Sequence, residues 1–295
     1  MKTLLPLEEP LAESAPLSHR LALAHCRPLF AMGEACAWYH GFWQDLRLMG
    51  LAKTCGGQAE FLVETLLGLT RAAESSRVLI SGSADYSMPA LAISAYQSEG
   101  AALQLTVVDR CETPLALSRW YAKRREAAII TRCRDILDDD APEPVDVVFT
   151  NSFLGSFDPA SRPRLMAAWR RLLRPEGKLV FTNRLRPHAG AEAIGFDAGQ
   201  ARGFAEAARR EAERRRTTLG LDPDEAARRA QAYAERYRSY PVRSLDEIAR
   251  LLGQGGFAVD LLDVATHPGR EGTAAVSGPS TAERAEYARV IATRR

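Results

Sequence analysis

The chain has 295 residues, of which 46% are hydrophobic and 26% charged, with a formal net charge of +2. That length holds one α/β domain plus an addition, with ample chain for a core, and so balanced a charge carries no bulk electrostatic footprint for nucleic acid. No apolar signal core follows Lys2, and the longest uncharged stretch, Tyr86 to Ser98, is too short to span a bilayer, so a cytoplasmic protein off the membrane is expected. The five cysteines (Cys26, Cys36, Cys55, Cys111, Cys133) are odd in number, without a Cys-x-x-Cys pair or a His/Cys cluster at metal-ligand spacing. Reduced thiols and no metal are expected.

In chain order, residues 1–75 read as a helical N-terminal segment, with Leu21, Ala24, Cys36, Phe42, Leu46, Met49, Phe61, Leu62 and Leu66 at helical spacings. Within it lies the aromatic run from Trp38 to Trp43. Helical spacing would turn Trp38, Phe42 and Leu46 toward the sheet and leave Tyr39 and Trp43 partly exposed. From Val78 to Asn183, short apolar runs alternate with helix-length segments. The runs are Val78 to Gly82, Leu105 to Asp109, Ala128 to Ile130, Val145 to Phe149 and Leu179 to Phe181. This is the pattern of βαβ units in a parallel sheet.

From Ala189 to Tyr240 the chain is rich in Arg and Ala, and reads as one or two exposed helices inserted after strand five. Asp222 caps the second, with Pro223 in its first turn. Glu206, Glu211, Glu213, Glu225 and Glu235 are interleaved with the arginines, which marks a solvated face rather than an RNA-binding one. A last helix (Ser244 to Gln254) and two strands (Phe257 to Val264, Tyr287 to Ala292) complete the sheet. The expected domains are therefore 1–75 and 76–295, the latter carrying the 189–240 insertion.

In an open α/β sheet the ligand lies outside the carboxyl ends of the strands. Gly82 after strand one permits a tight turn and close approach to a ligand. Asp109, 27 positions on at the end of strand two, can accept both hydroxyls of a ribose. Asp135, after strand three, can accept from an adenine amino group. Tyr86 stands where a dinucleotide pyrophosphate would need bare backbone amides, which argues against NAD or FAD.

With these residues in this order the chain resembles the class I S-adenosylmethionine (SAM) dependent methyltransferases from about Val78 onward. The run from Leu172 to Leu179 is similar to the loop before their strand five, and Ser244 to Phe257 to the helix before strand six. The sequence departs from them at strand one, where Ile80 replaces the usual acid, and where Ala84 and Tyr86 replace two glycines. The resemblance implies a doubly wound, mostly parallel seven-stranded sheet under an N-terminal helical lid, with SAM as cofactor and a small molecule as partner. A homodimer is compatible with it.

It also implies a site. Gly82, Ser83, Asp85, Tyr86, Asp109, Arg110, Asp135, Ile136 and Asn151 would bind the cofactor. Asp85 either holds its ammonium group or caps the next helix. Tyr39, Asn151 and Ser152 are the candidate catalytic residues, and His40, Trp43 and Phe153 the candidate substrate contacts. Two reactions are compatible with such a pocket: methyl transfer to an acceptor, and cyclisation of SAM itself as in azetidine-2-carboxylate synthases, which release methylthioadenosine. A SAM-binding protein without catalysis is the alternative of another class.

Overall fold

The computed structural model describes residues 7–26, 35–52, 55–70, 75–140, 143–267, 277–281 and 284–295. The rest of the segment expected to be helical (1–6, 27–34, 53–54 and 71–74) lies outside the described residues. Three N-terminal helices come first: α1 (Leu11–His25), α2 (Ala37–Met49) and α3 (Ala59–Thr70). Then come β1 (Ser75–Ser81), α4 (Ser87–Glu99), β2 (Ala102–Asp109), α5 (Glu112–Arg124), β3 (Ile129–Cys133), β4 (Val145–Asn151), α6 (Arg162–Leu172) and β5 (Leu173–Arg184). The insertion holds α7 (Ala198–Arg214), α8 (Arg216–Leu219) and α9 (Pro223–Arg236). The chain ends with α10 (Leu245–Gln254), β6 (Phe257–His267) and β7 (Ala285–Arg294).

The sheet has the order β3-β2-β1-β4-β5-β7-β6. Strands β1 to β5 pair in parallel, and β7 enters antiparallel between β5 and β6. The order reverses between β1 and β4, which opens a crevice at their carboxyl ends. Parallel strands are covered on both faces, and so they read as near-continuous apolar runs. Val78, Ile80, Leu105 and Val107 pack under α3, α4 and α5. Leu79, Val148, Leu179 and Phe181 pack under α6 and α10. β5 begins earlier than the apolar run Leu179 to Phe181, because Leu173 already pairs with Val145 across an irregular register.

Two expectations are corrected here. Phe42 and Leu46 do not pack on the sheet; they join Met49 in a separate core with the insertion helices. Nor are those helices simply exposed. Ala201, Ala205, Ala208 and Ala212 of α7 are buried together with Ala226, Ala227, Ala230 and Ala234 of α9. Alanines three and four apart make one narrow apolar stripe, and their small side chains let two helices approach closely while arginines occupy the outer faces. The insertion also returns over the sheet: Leu185 bridges Val242, Ile194 bridges Ser239, and the Tyr240 amide donates to Gly155 O at 2.8 Å.

Overpacking the alanine stripe should be costly while its solvated face tolerates change. Ala230→Leu is expected to lower stability by about 1–3 kcal/mol in denaturant unfolding, and Arg228→Ala, on an exposed residue, by no more than about 0.5 kcal/mol.

Candidate functional site

The crevice between β1 and β4 opens into a cavity of about 390 Å³. Its floor is the β1 turn (Gly82 to Asp85), its one end Asp109, its other the carboxyl ends of β4 and β5, and its roof α2 together with the insertion.

Asp109 is held in place by two amides of its own neighbourhood: Ser83 N donates to Oδ2 at 3.0 Å and Cys111 N to Oδ1 at 2.8 Å. A carboxylate has about four lone-pair sites, so each oxygen keeps capacity for a ribose hydroxyl. Burial pushes this carboxyl up from its usual range, against the Ser83 and Cys111 amides, which favour the charged form.

Asp85 is not available for a cofactor ammonium group. Its Oδ2 accepts from Trp43 Nε1 (3.0 Å), Gln44 Nε2 (2.8 Å) and Arg47 Nη1 (2.8 Å), all on α2. Its Oδ1 accepts from the amide of Ser87, the first residue of α4, at 2.7 Å and from the Ser87 hydroxyl. Both ion-pair side chains are 2% exposed. Tyr86 also lies off the cavity. It is fully buried, stacked on Tyr121 with ring centroids 4.9 Å apart, with the Arg47 guanidinium 5.8 Å from its centroid on the lid side. Gly82 takes a left-handed turn (φ 72°). A Cβ there would lie 2.2 Å from Phe153 Cε2, so the space it leaves is taken by the Phe153 ring.

The adenine end expected at Asp135, Arg110 and Ile136 lies beyond the cavity lining. Asp135 accepts from Leu137 N at 3.0 Å and faces Arg110 Nε at 3.5 Å, while Ile136 is buried in the core. At the opposite end, Asn151 Oδ1 accepts from Thr182 Oγ1 at 2.6 Å, and Ser152, in a left-handed conformation (φ 53°), donates its amide to Thr182 O. Both line the cavity.

Tyr39 and Trp43 stack on each other at 5.3 Å, and Tyr39 stacks on Tyr233 of α9 at 5.9 Å. Burial pushes the Tyr39 phenol far up, so its hydroxyl stays protonated. His40 touches the cavity, but its Nδ1 faces Cys26 Sγ at 3.6 Å. Cys26, Cys36, His40 and Cys111 converge there, so three of the five cysteines are not scattered, as spacing alone had suggested.

Residues 89–181 match the family model described as a methyltransferase domain. Over those residues the chain carries a methyltransferase domain, whose cofactor is SAM. No curated protein matches it in sequence. Among solved structures it is similar to TehB from Haemophilus influenzae (8% identity, 79% of this chain and 62% of that one, TM-score 0.48). Another is the magnesium protoporphyrin IX methyltransferase ChlM from Synechocystis PCC 6803 with bound SAH (12% identity, 86% and 94%, TM-score 0.49). A third is the pyocyanin biosynthetic protein PhzM (16% identity, 86% and 58%, TM-score 0.45). Likeness this distant says nothing of substrate.

The lining of the cavity fits SAM. Asp109 offers acceptors at one end, an aromatic wall suits a sulfonium cation, and Asn183 Oδ1, buried at the cavity, has no hydrogen-bond partner among the described residues. Sequence reading missed Asn183, Tyr233 and Tyr237. Asn183 follows the apolar run of β5 and could have been found as a strand end. The two tyrosines sit in the Arg-rich insertion, where nothing local marks them.

Asp109→Ala is expected to weaken SAM binding at least tenfold in calorimetry, the loss of one charge-assisted hydrogen bond of about 1.5–3 kcal/mol. Unchanged affinity would remove it from the site. Asp85→Asn should instead act on stability, lowering it by up to about 3–5 kcal/mol in chemical denaturation, because the buried Arg47 then keeps only the partly exposed Glu9 as counter-charge.

Proposed function

We propose that the chain is a SAM-dependent methyltransferase acting on a small molecule held between α2 and the insertion. The observation that carries this is the continuous lining from Asp109, whose carboxylate has room to accept a ribose, to the stacked wall of Tyr39, Trp43 and Tyr233. SAM supplies a methyl carbon activated by the positive sulfur beside it. The protein's part is then to orient, to desolvate and to stabilise charge, and proximity of an acceptor can supply much of the rate without a dedicated base.

The aromatic wall favours the cation and excludes water. Asn151 and Asn183 offer acceptors for the N–H groups of an amine. Arg184 and Arg186, which both donate to Pro279 O, line the cavity with Arg238 and put positive charge on its far side. An acceptor bearing a carboxylate or another anionic group suits that side, of the kind specialised metabolism supplies. Nucleic acid does not suit it: four arginines of the insertion are paired with glutamates three or four residues away, Arg228 and Arg229 with Glu225, and Arg214 and Arg215 with Glu211.

A second reading is favoured by the size of the cavity. At about 390 Å³ it is near the lower limit of ligand pockets, which run from roughly 300 to 1,000 Å³. SAM folded on itself would fill it, and its amine would then attack its own γ-carbon, giving azetidine-2-carboxylate and methylthioadenosine.

Incubation with SAM alone, followed by mass spectrometry, separates the two. Methyl transfer predicts an inert mixture until an acceptor is added and S-adenosylhomocysteine afterwards. Methylthioadenosine without any acceptor would select cyclisation. In either reaction Tyr39→Ala should slow turnover by about 2- to 30-fold, the equivalent of roughly 0.5–2 kcal/mol of cation–π stabilisation. Tyr39→Phe should be mild, and a severe Tyr39→Phe would transfer the role to the hydroxyl.

A further inference from the structure

Four soft donors meet beside the ribose end of the cavity. Cys26 ends α1, Cys36 and His40 stand at the start of α2, and Cys111 stands between β2 and α5. Cys26 Sγ is 3.6 Å from His40 Nδ1 and 3.6 Å from Cys111 Sγ, and Cys36 Sγ is 3.6 Å from Cys111 Sγ. The four donor atoms all lie within 4.8 Å of one another. None of the three cysteines is in a disulfide.

We propose that Cys26, Cys36, His40 and Cys111 bind one structural zinc ion that fastens the N-terminal helices to the cofactor domain. With Zn–S near 2.3 Å and Zn–N near 2.0–2.1 Å, a regular tetrahedron sets its ligand atoms about 3.6–3.8 Å apart. The three closest donor contacts are at that spacing already. Three thiolates and one imidazole are a common donor set of closed structural zinc sites, and soft thiolates favour this ion over magnesium or calcium.

The surroundings agree with a closed site. Cys26, His40 and Cys111 are buried and Cys36 is half-buried, so the ion would have no place for substrate. Thr113 Oγ1 lies 3.2 Å from Cys26 Sγ, where its hydroxyl can donate to a thiolate. Such outer contacts orient ligands and raise affinity. Binding displaces the protons of the three thiols, so the filled site carries one net negative charge, and the ion keeps like charges from facing one another.

The position explains why a clamp would sit here. The Cys111 amide donates to Asp109 Oδ1, so the same residue that holds the ion also orients the ribose acceptor. Zinc would thus join two lid helices to one cofactor loop from three separate stretches of sequence.

The test is elemental analysis of the full chain purified under reductant, with cobalt(II) alone titrated into metal-stripped protein as a second probe. The wild type should hold one zinc per chain. Its cobalt form should show the intense ligand-field and thiolate charge-transfer bands of a tetrahedral sulfur site, and this spectrum needs no variant to fold. Cys36→Ser and Cys111→Ser should lose most of the metal, whereas Cys133→Ser, whose thiol lies outside the cluster, should keep it. Metal-free wild type that takes up neither ion overturns the proposal. So does an octahedral cobalt spectrum, a disulfide among the three cysteines in reduced protein, or metal retained when Cys36 and Cys111 are both replaced.

Discussion

The buried pair of Asp85 and Arg47 is the constraint on which the rest of the site depends. Two opposite charges removed from water are tolerable when most of their remaining lone pairs and protons find partners, and among the described residues Arg47 Nε is left without one. Here Asp85 meets that demand by drawing Trp43, Gln44 and Arg47 from α2 and Ser87 from α4. Arg47 reaches on to Glu9, ahead of α1. One carboxylate thereby fixes the angle of the lid over the β1 turn, and the aromatic residues one turn earlier on α2 are placed over the cavity as a result. The sequence resemblance offered this position as a cofactor contact, but the chain uses it to attach its own roof.

The other half of the roof is held by a different device. Arg162, 1% exposed at the start of α6, donates to Tyr240 O at 3.0 Å and Pro241 O at 2.9 Å and pairs with Glu247. It joins the returning end of the insertion to the segment after β4. Gly155 lies beneath that return, where a Cβ would approach Ser239 Oγ to 2.7 Å. The insertion is therefore positioned at both its hinge and its alanine face, and Tyr233 is presented to Tyr39 from a helix whose outer face is polar.

Most of the sheet was legible because burial on both faces leaves a continuous apolar run, as in Val145 to Phe149, and because strand ends carry polar residues. Asp109 and Asn151, singled out by that logic, both line the cavity. Tyr86 was misread: its position in the turn matched a glycine of the family pattern, but its ring turns into the stack with Tyr121. Asp85 was read as ligand or cap with no means to choose, since its partners lie 38 to 42 residues upstream. The alanine stripe of α7 and α9 was hidden by the arginines that alternate with it. The thiol and imidazole cluster had no local signature at all, because its four donors come from three segments brought together only by the packing of α1 and α2 against the β2 loop.

The four tryptophans of the chain are divided between its two parts. Trp38 and Trp43 stand in the aromatic roof, and the Trp43 indole is tied to a carboxylate. Trp169 is fully buried with its indole bonded to Ser81 Oγ at 2.9 Å, and Trp120 lies against the Tyr86 ring. Emission from this protein is therefore a composite of two built-in reporters, one sensing whether the roof is seated and the other whether the sheet beneath it is intact, and replacing Trp38 and Trp43 by Phe would leave the second to be read by itself.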